Sequence, residues 1–150
     1  MNKKISDFLS DEKALTVDSN ARVIDAIKLM NSEKHNYVLV IQNDNVQGIF
    51  TERDLLNRVL SEKKLPADVK VCDVMTPNPD ALSNDDYIGY AVERMARYGY
   101  RNIPIEDSKQ GPVVLTVWNV MTHISDILAD AEEIETDREI MEEMSDIGGG

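Results

Sequence analysis

The apolar positions of this chain follow two patterns, one typical of amphipathic helices and one typical of buried strands. Val23, Ala26, Ile27 and Met30 fall at i, i+3, i+4 and i+7, which places them on one face of a helix. The apolar, mostly β-branched run at residues 37–41 is too short for a helix and predicts a buried strand. These segments together predict a helix followed by a strand.

The polar segment that follows has the composition of a turn and leads into further elements. Residues 42–45 predict a turn, residues 46–50 a second strand, and residues 52 to about 62 a second helix. A second set of elements then follows in the same order. It comprises a helix at about 86–98, a strand at 102–105, a turn at 106–111, a strand at 113–116 and a helix from 117 to about 129.

The two sets of elements are copies of one unit. A shift of 65 residues aligns residues 23–55 with residues 88–120 without a gap, and a lead-in segment before each copy matches at a shift of 66. The matches include Ala26 with Ala91, Met30 with Met95, Thr51 with Thr116, Asp54 with Asn119, and the lead-in segments Ile5–Ser10 with Val71–Thr76. One copy alone leaves an apolar face open, so we expect the copies to pack together about a pseudo-two-fold axis. Two equivalent clefts then form between them, where small ligands usually bind.

The repeat divides the chain into three parts. We expect the first copy with its lead-in segment at residues 1–65, the second copy at residues 66–129 and an acidic tail at residues 130–150. Residues 63–69 are the expected linker, and each lead-in segment is assigned to the copy that it precedes. Because a copy of about 60 residues buries too little surface to stand alone, the whole chain should form one compact unit.

The net charge of −12 is concentrated in the tail. Residues 130–150 carry nine acidic side chains against Arg138 alone, so the tail holds −8 and the remainder −4. Such a chain repels nucleic acid and anionic membranes, and we expect neither as a partner. Two structures fit the tail: a short amphipathic helix with Ile140, Met144 and Ile147 on one face, or a frayed, solvated segment.

Several classes of site are not expected. Cys72 is the only cysteine, and with His35 and His123 as the only histidines the sequence has no set of metal ligands. No nucleophile with a base and no phosphate-cradling glycine-rich loop occurs, so we expect neither an enzyme nor a catalytic cofactor. No apolar run has the length of a membrane span or a signal peptide, which predicts a cytoplasmic protein.

Thr51 and Asp54 form the motif whose chemistry best suits a small ligand. A carboxylate can accept hydrogen bonds from both hydroxyls of a ribose, and a threonine hydroxyl beside a helix start can donate to a phosphate. The same spacing is that of a capping box, in which two side chains satisfy the first turn of a helix without any ligand. Both interpretations remain open from the spacing alone.

The motifs of the two copies together resemble a known family. The segments VCDVMTPNP, MARYGYRNIPIED and TVWNVMTHI, with VQGIFTERDLL in the first copy, resemble the cystathionine β-synthase (CBS) domain. Residues 5 to about 129 resemble a tandem pair of these domains, the Bateman module. The resemblance implies an α/β (α+β) fold of two β-α-β-β-α repeats that pack sheet to sheet with pseudo-two-fold symmetry. It also implies a homodimer.

For function, the resemblance implies a stand-alone, non-catalytic regulatory sensor that acts on a partner protein. Its ligand would be an adenine nucleotide (AMP, ADP or ATP) or S-adenosylmethionine, bound in a cleft between the repeats. The alternative is a ligand-free structural module for dimerisation or interaction, whose clefts are filled by side chains. The helix faces that we expect in the dimer contain Met30, Met95, Leu55 and Val120.

By the pattern of the family, each cleft combines residues of both copies. The first cleft would contain Thr51, Asp54, Thr76, Pro77, Arg101, Asn102 and Ile103, and the second Thr116, Asn119, Ser10, Tyr37 and Val38. We expect unequal clefts, because Val113 and Asn119 replace the glycine and the aspartate of the family pattern. For phosphate, the resemblance favours Arg101, and the further candidates are Arg97, Lys34, His35 and Arg53.

Overall fold

The computed structural model describes residues 3–148, and the side chains at positions 133, 134, 147 and 148 lie outside that description. The strands are β1 (Thr16–Asp18), β2 (Tyr37–Gln42), β3 (Asn45–Thr51), β4 (Thr76–Pro77), β5 (Asn102–Ile105) and β6 (Val113–Thr116). The helices are α1 (Val23–Glu33), α2 (Glu52–Asp54), α3 (Val71–Val74), α4 (Ile88–Tyr98) and α5 (Val117–Gly148). A 3₁₀ turn at Ile5–Asp7 precedes β1, and a π-helical segment at Leu55–Leu60 continues α2.

Both copies follow the predicted order of helix, strand, turn, strand and helix. Apart from the last helix, the element bounds lie within about two residues of the predicted ones, which is the usual uncertainty at element ends. Helices α1 and α4 both end at a residue with left-handed backbone, Lys34 (φ 57°) and Gly99 (φ 73°), and these two positions are equivalent in the repeat. Periodicity did not place β1 and β4, because strands of three and two residues are too short to show a period.

The strands form two sheets that pack against each other. The first sheet has the order β1-β2-β3-β4, in which β1 is parallel to β2 and the other pairs are antiparallel. The second sheet pairs β5 with β6 antiparallel. Tyr37, Leu39 and Ile49 of the first sheet share a buried cluster with Val114 of the second. The expected α/β fold of two repeats packed sheet to sheet is therefore confirmed.

Each of the two main cores contains the lead-in segment of the other copy. The core of the first copy includes Val71 and Val74 from α3, which precedes the second copy. The core of the second copy includes Ile5 and Phe8 from the beginning of the chain. All four side chains are buried. The lead-in segments are therefore exchanged between the copies.

Backbone hydrogen bonds fix this exchange in the same way on both sides. Ile5 N–H donates to the Asp86 carbonyl over 2.9 Å, and Val71 N–H donates to the Ala21 carbonyl over 2.8 Å. Each lead-in segment therefore belongs to one copy along the sequence and packs in the core of the other. A boundary near residue 65 separates the copies along the sequence but cuts through both packed cores.

The last helix continues far beyond the predicted end near residue 129. Helix α5 runs for 32 residues and ends at Gly148, so the described part of the acidic tail is helical and is not a frayed segment. No proline or glycine occurs between residues 117 and 147, and nothing in the sequence therefore interrupts the helix. Ile140 and Met144 are exposed, whereas the side chain of Ile147 lies outside the described residues. No helix within residues 3–148 combines the length and apolar character needed to cross a membrane.

The residues expected in a dimer interface do not form an open face. Met30 and Val120 are buried in the cores of their own copies, and Leu55 and Met95 are half-buried against the same cores. The helical spacing of these apolar residues therefore reflects packing within the chain and not an interface with a second chain. The prediction that these four side chains form the dimer surface is therefore wrong.

Gly48 allows the exchanged lead-in segment to join the first sheet. It pairs with Pro77 between β3 and β4, and an added Cβ would lie 2.5 Å from the Thr76 carbonyl oxygen and 2.6 Å from the Met75 sulfur. A real Cβ does not approach backbone so closely, so the contact requires glycine. The equivalent position in the second copy is Val113, in a strand that pairs only with β5 among the strands of residues 3–148.

We expect Gly48→Ala to lower the free energy of unfolding by about 1–3 kcal/mol, because the new methyl group forces β4 away from β3. Gly89→Ala is the matched control, since its Cβ would meet no heavy atom within 4 Å and the residue lies in α4. The control should be neutral or stabilising by up to about 1 kcal/mol. Urea denaturation measures both variants, and equal stabilities would contradict the role of Gly48.

Candidate functional site

Two clefts lie where the copies meet, at equivalent positions in the repeat. The Asp54 cleft has a volume of about 550 Å³ and is lined by Thr51–Asp54, Thr76 and Gly99–Asn102, among others. The Asn119 cleft has a volume of about 770 Å³ and is lined by Thr116, Asn119, Ser10 and Lys34–Tyr37, among others. Both volumes suit a small-molecule ligand. The structure therefore brings most residues of each predicted set together in its own cleft, and the two clefts share Asn36, Glu52 and Arg101.

Asp54 and Thr51 form a complete capping box at the start of α2. The backbone N–H and the hydroxyl of Thr51 donate to Asp54 Oδ2 over 3.0 Å and 3.3 Å, and the Asp54 N–H donates to Thr51 Oγ1 over 3.4 Å. The capping interpretation of this motif is therefore confirmed. Oδ2 is occupied by the cap, which leaves Oδ1 as the oxygen with other partners.

Oδ1 of Asp54 joins the first copy to the exchanged lead-in segment. The Thr76 hydroxyl donates to it over 3.0 Å, and Arg58 Nε lies 3.5 Å away. Arg58 also donates from Nη1 to the Met75 carbonyl over 2.6 Å. Since the carboxylate is almost completely buried, these partners offset much of the cost of removing its charge from water. A ligand that approaches Asp54 must therefore replace the Thr76 or the Arg58 contact.

Sequence reasoning missed Arg58 as a member of this site. Its spacing of four residues from Asp54 on a predicted helix was the available signal, because side chains at i and i+4 are neighbours on a helix. Its contact with Met75 could not be predicted, since that contact exists only after the exchange of the lead-in segments.

Asn119 forms the same cap in the second copy but leaves a different group free. The backbone N–H and the hydroxyl of Thr116 donate to Asn119 Oδ1 over 2.8 Å and 2.9 Å, and the Asn119 N–H donates to Thr116 Oγ1 over 3.1 Å. Because both Thr116 donors need an acceptor, the amide must place its oxygen here. The Nδ2 group remains, and it can only donate hydrogen bonds.

Arg101 and Asn102 occupy the wall of the Asp54 cleft. The Arg101 side chain is exposed, lines both clefts and makes no ion pair or side-chain hydrogen bond within residues 3–148. Asn102 donates from Nδ2 to Asn36 Oδ1 over 3.0 Å, which links the first-strand edges of the two copies. The buried Oδ1 of Asn102 has no hydrogen-bond partner among the described residues.

Three predicted site residues do not line the clefts. The side chains of Val38 and Ile103 are fully buried in the two cores, because alternate residues of a strand point to opposite faces. Pro77 lies in β4, paired with Gly48. For Val38 and Ile103, only the backbone remains available to a ligand.

The other predicted residues divide between the two clefts. Ser10, Lys34, His35 and Tyr37 line the Asn119 cleft, whereas Arg53 lines the Asp54 cleft. Burial raises the pKa of Tyr37 above its usual value of 10.0, with a smaller opposing effect from the hydrogen bond donated by Leu15 N–H, so the phenol stays protonated at neutral pH. Arg97 lies outside both linings and pairs with Glu93 on the surface of α4. Within residues 3–148, no cluster of three or more histidine, cysteine, aspartate or glutamate side chains could hold a metal ion.

A comparison with known protein families matches the model of one family to two regions of the chain. The model of the CBS domain matches residues 5–61 and residues 71–113. The chain is 35% identical over 107 residues to the CBS domain-containing protein CBSCBSPB1 of Arabidopsis thaliana, covering 71% of this chain and 20% of that protein. It is 30% identical over 126 residues to the meiotically up-regulated gene 70 protein of Schizosaccharomyces pombe, covering 83% and 17%. The chain thus spans no more than a fifth of these relatives.

Solved structures have the same fold at lower sequence identity. A protein with CBS domains from Burkholderia ambifaria has a TM-score of 0.74 and 22% identity, over 81% of this chain and 93% of that one. A CBS domain protein from Pyrobaculum aerophilum, solved in complex with AMP, has a TM-score of 0.66 and 18% identity, over 78% and 89%. A CBS domain pair solved with 5′-methylthioadenosine and S-adenosyl-L-methionine has a TM-score of 0.70 and 20% identity, over 81% and 99%.

The capping role of Asp54 predicts a stability difference between two substitutions. Asp54→Ala removes the carboxylate half of the capping box and the acceptor for the Thr76 hydroxyl, and should lower the free energy of unfolding by about 1–3 kcal/mol. Asp54→Asn should cost clearly less, because Asn119 shows that an asparagine forms the same cap in this chain. Urea denaturation without added nucleotide measures both. Equal losses would mean that the charge of Asp54, rather than its cap, stabilises the fold.

Proposed function

The chain belongs to the CBS domain family, and on that premise we propose that it is a non-catalytic sensor that binds an adenine nucleotide or S-adenosylmethionine in the Asp54 cleft. Occupancy of the cleft changes the contact between the first copy and the exchanged lead-in segment. That change is the signal passed to a regulated partner protein. The observation that carries the proposal is the carboxylate of Asp54, which lines a cleft between the repeats and bonds the lead-in segment through Oδ1.

The chemistry of the Asp54 cleft supports an adenosyl ligand. A ribose diol offers two hydroxyl donors, and Oδ1 of Asp54 already accepts a hydroxyl donor from Thr76, so a ribose hydroxyl is a direct substitute. Asn102 Oδ1, which has no partner in the described part of the chain, supplies an acceptor at the same wall for the amine of adenine. Arg101, without an ion pair there, and Arg53 supply charge for phosphate.

The same contacts suggest how binding changes shape. When a ribose hydroxyl takes the place of the Thr76 hydroxyl, β4 loses a bond to the first copy, and the paired Arg58 must also adjust. The lead-in segment that moves belongs to the core of the first copy and is covalently joined to the second. Solved relatives of this fold with bound AMP, or with 5′-methylthioadenosine and S-adenosyl-L-methionine, support the choice of ligand class.

Replacing Asp54 with asparagine tests the proposal most cleanly, because the cap is kept and the charge is lost. We expect the affinity for AMP to fall at least tenfold, since hydrogen bonds to a charged group contribute about 1.5–3 kcal/mol. Isothermal titration calorimetry measures the affinity, with ADP, ATP and S-adenosylmethionine as parallel ligands. Asp44→Asn, in the β2–β3 turn and outside both clefts, is the matched control for the loss of one acid.

The alternative function is a ligand-free interaction module. It is favoured by the fact that both oxygens of Asp54 already have partners within the chain. If none of the four ligands binds the parent chain at millimolar concentration, the sensor proposal is wrong and the interaction module is the better explanation. Equal AMP affinities in Asp54→Asn and Asp44→Asn would instead show that the nucleotide does not bind at Asp54.

We further propose that the protein acts as a homodimer through the outer faces of α5 and of the π-helical segment at Leu55–Leu60. The exposed apolar side chains of these two elements include Leu60, Met121, Ile124 and Leu128. A chain of this size rarely leaves so many apolar side chains of neighbouring turns in water unless a partner covers them. A second copy is the simplest partner, because a two-fold axis matches such a face to itself.

Light scattering should give a mass of twice the 16.9 kDa of one chain at tens of micromolar. The double variant Met121→Lys/Leu128→Lys should be monomeric, because each chain of the dimer would then bury two unpaired charges at the interface. Val46→Lys is the control, since Val46 is an exposed apolar residue in the β3 strand away from these helices. A parent chain that is monomeric with and without AMP would contradict the proposed dimer.

A further inference from the structure

The Asn119 cleft has an amide donor at the position where the Asp54 cleft has a carboxylate. Asn119 Oδ1 accepts hydrogen bonds from the backbone N–H and the hydroxyl of Thr116, so the amide can offer a ligand only its Nδ2 group. No carboxylate takes the position that Asp54 has in the first copy, and a ribose diol therefore loses its charged acceptor here. The cleft differs from its counterpart in the chemical class of ligand that it suits, and not only in affinity.

The same cleft has one more fixed positive charge than negative charges in its lining. Lys13, Lys34 and Arg101 line it together with His35, against two acidic residues, Glu12 and Glu52. Within residues 3–148, the side chains of Lys13, Lys34 and Arg101 make no ion pair and no hydrogen bond, so their donors are free for a ligand. In the Asp54 cleft, by comparison, positive and negative side chains are equal in number, with three arginines and three acids, Glu52, Asp54 and Asp80. On a chain of net charge −12, a locally positive cleft attracts an anion selectively.

The surroundings of the cleft reinforce this preference. Helix α5 begins at Val117, beside Thr116 and Asn119, and the partial positive charge of a helix start favours an anion nearby. Trp118 occupies the position that Arg53 has in the first copy, and its indole is exposed at the cleft wall. It is the only tryptophan of the chain, so its fluorescence reports on this cleft alone.

We propose that the Asn119 cleft is an anion site for a diphosphate group, bound through Lys13, Lys34, Arg101 and Asn119 Nδ2 without recognition of adenosine. The diphosphate is either inorganic pyrophosphate or the diphosphate of a nucleotide, because both present the same oxygens. The groups that distinguish this site from the proposed nucleotide site are Lys13, Lys34 and Asn119, whereas Arg101, Asn36 and Glu52 line both clefts. The two halves of the chain would then respond to different ligands.

Titration with inorganic pyrophosphate tests the site, with calorimetry for affinity and Trp118 fluorescence for location. The parent chain should bind pyrophosphate and change its fluorescence, with an affinity that falls as sodium chloride increases. Lys13→Gln/Lys34→Gln should bind at least tenfold more weakly. Lys28→Gln/Lys64→Gln removes the same charge from exposed positions outside both clefts and should bind like the parent.

The Asp54→Asn background separates this site from the proposed nucleotide site. In that variant pyrophosphate should bind as in the parent, and adenosine should not compete with it. ADP that competes with pyrophosphate and depends on the same lysines would identify the nucleotide diphosphate as a second source of the ligand. The proposal is overturned if pyrophosphate fails to bind the parent chain at low salt, or if Asp54→Asn abolishes pyrophosphate binding. It is also overturned if Lys13→Gln/Lys34→Gln and Lys28→Gln/Lys64→Gln lose the same affinity for pyrophosphate.

Discussion

The fold depends on the exchange of the two lead-in segments. Neither copy closes its core with its own residues: Val71 and Val74 complete the first core, and Ile5 and Phe8 complete the second. Burial of each such side chain contributes about 1.5–3 kcal/mol, which is a large share of the stability of a small domain. The two copies must therefore fold as one cooperative unit.

The same exchange builds the Asp54 cleft. Thr76 lies two residues after Val74, the last residue of α3, so the packing of Val74 in the first core places the Thr76 hydroxyl beside Asp54 Oδ1. Gly48 is required at this point because the chain passes within contact distance of β3. The buried charge of Asp54 is held by groups from both sides of the junction. A ligand that takes over one of these bonds thus acts on the contact that holds the halves together.

Three differences within the repeat make the two clefts chemically distinct. Gly48, Arg53 and Asp54 of the first copy correspond to Val113, Trp118 and Asn119 of the second. The first cleft offers a buried carboxylate, an acceptor for hydroxyl donors. The second offers an amide donor, an indole and free cations. The repeat thus places two similar clefts in the chain, while single substitutions give them different hydrogen-bonding groups.

The local structure of this protein follows from its sequence, because it depends on neighbouring residues. The helices and strands of both copies follow from periods that span a few residues, and the two capping boxes follow from pairs three residues apart, Thr51 with Asp54 and Thr116 with Asn119. The unequal chemistry of positions 54 and 119 is visible in the repeat alone. The likeness of the copies was likewise enough to predict that two clefts form between them.

Contacts between distant segments were decided only in the tertiary structure. The repeat places each lead-in segment beside its own copy, but packing exchanged them, because a short apolar segment fits either of two similar cores and sequence order does not choose between them. Arg58 became part of the site through that exchange. Met30 and Val120 have the same apolar period as an interface face would have, and only their burial shows that they serve the cores. The sequence by itself therefore determined the elements and their chemistry, whereas the pairing of the segments came from which apolar surfaces could be covered in three dimensions.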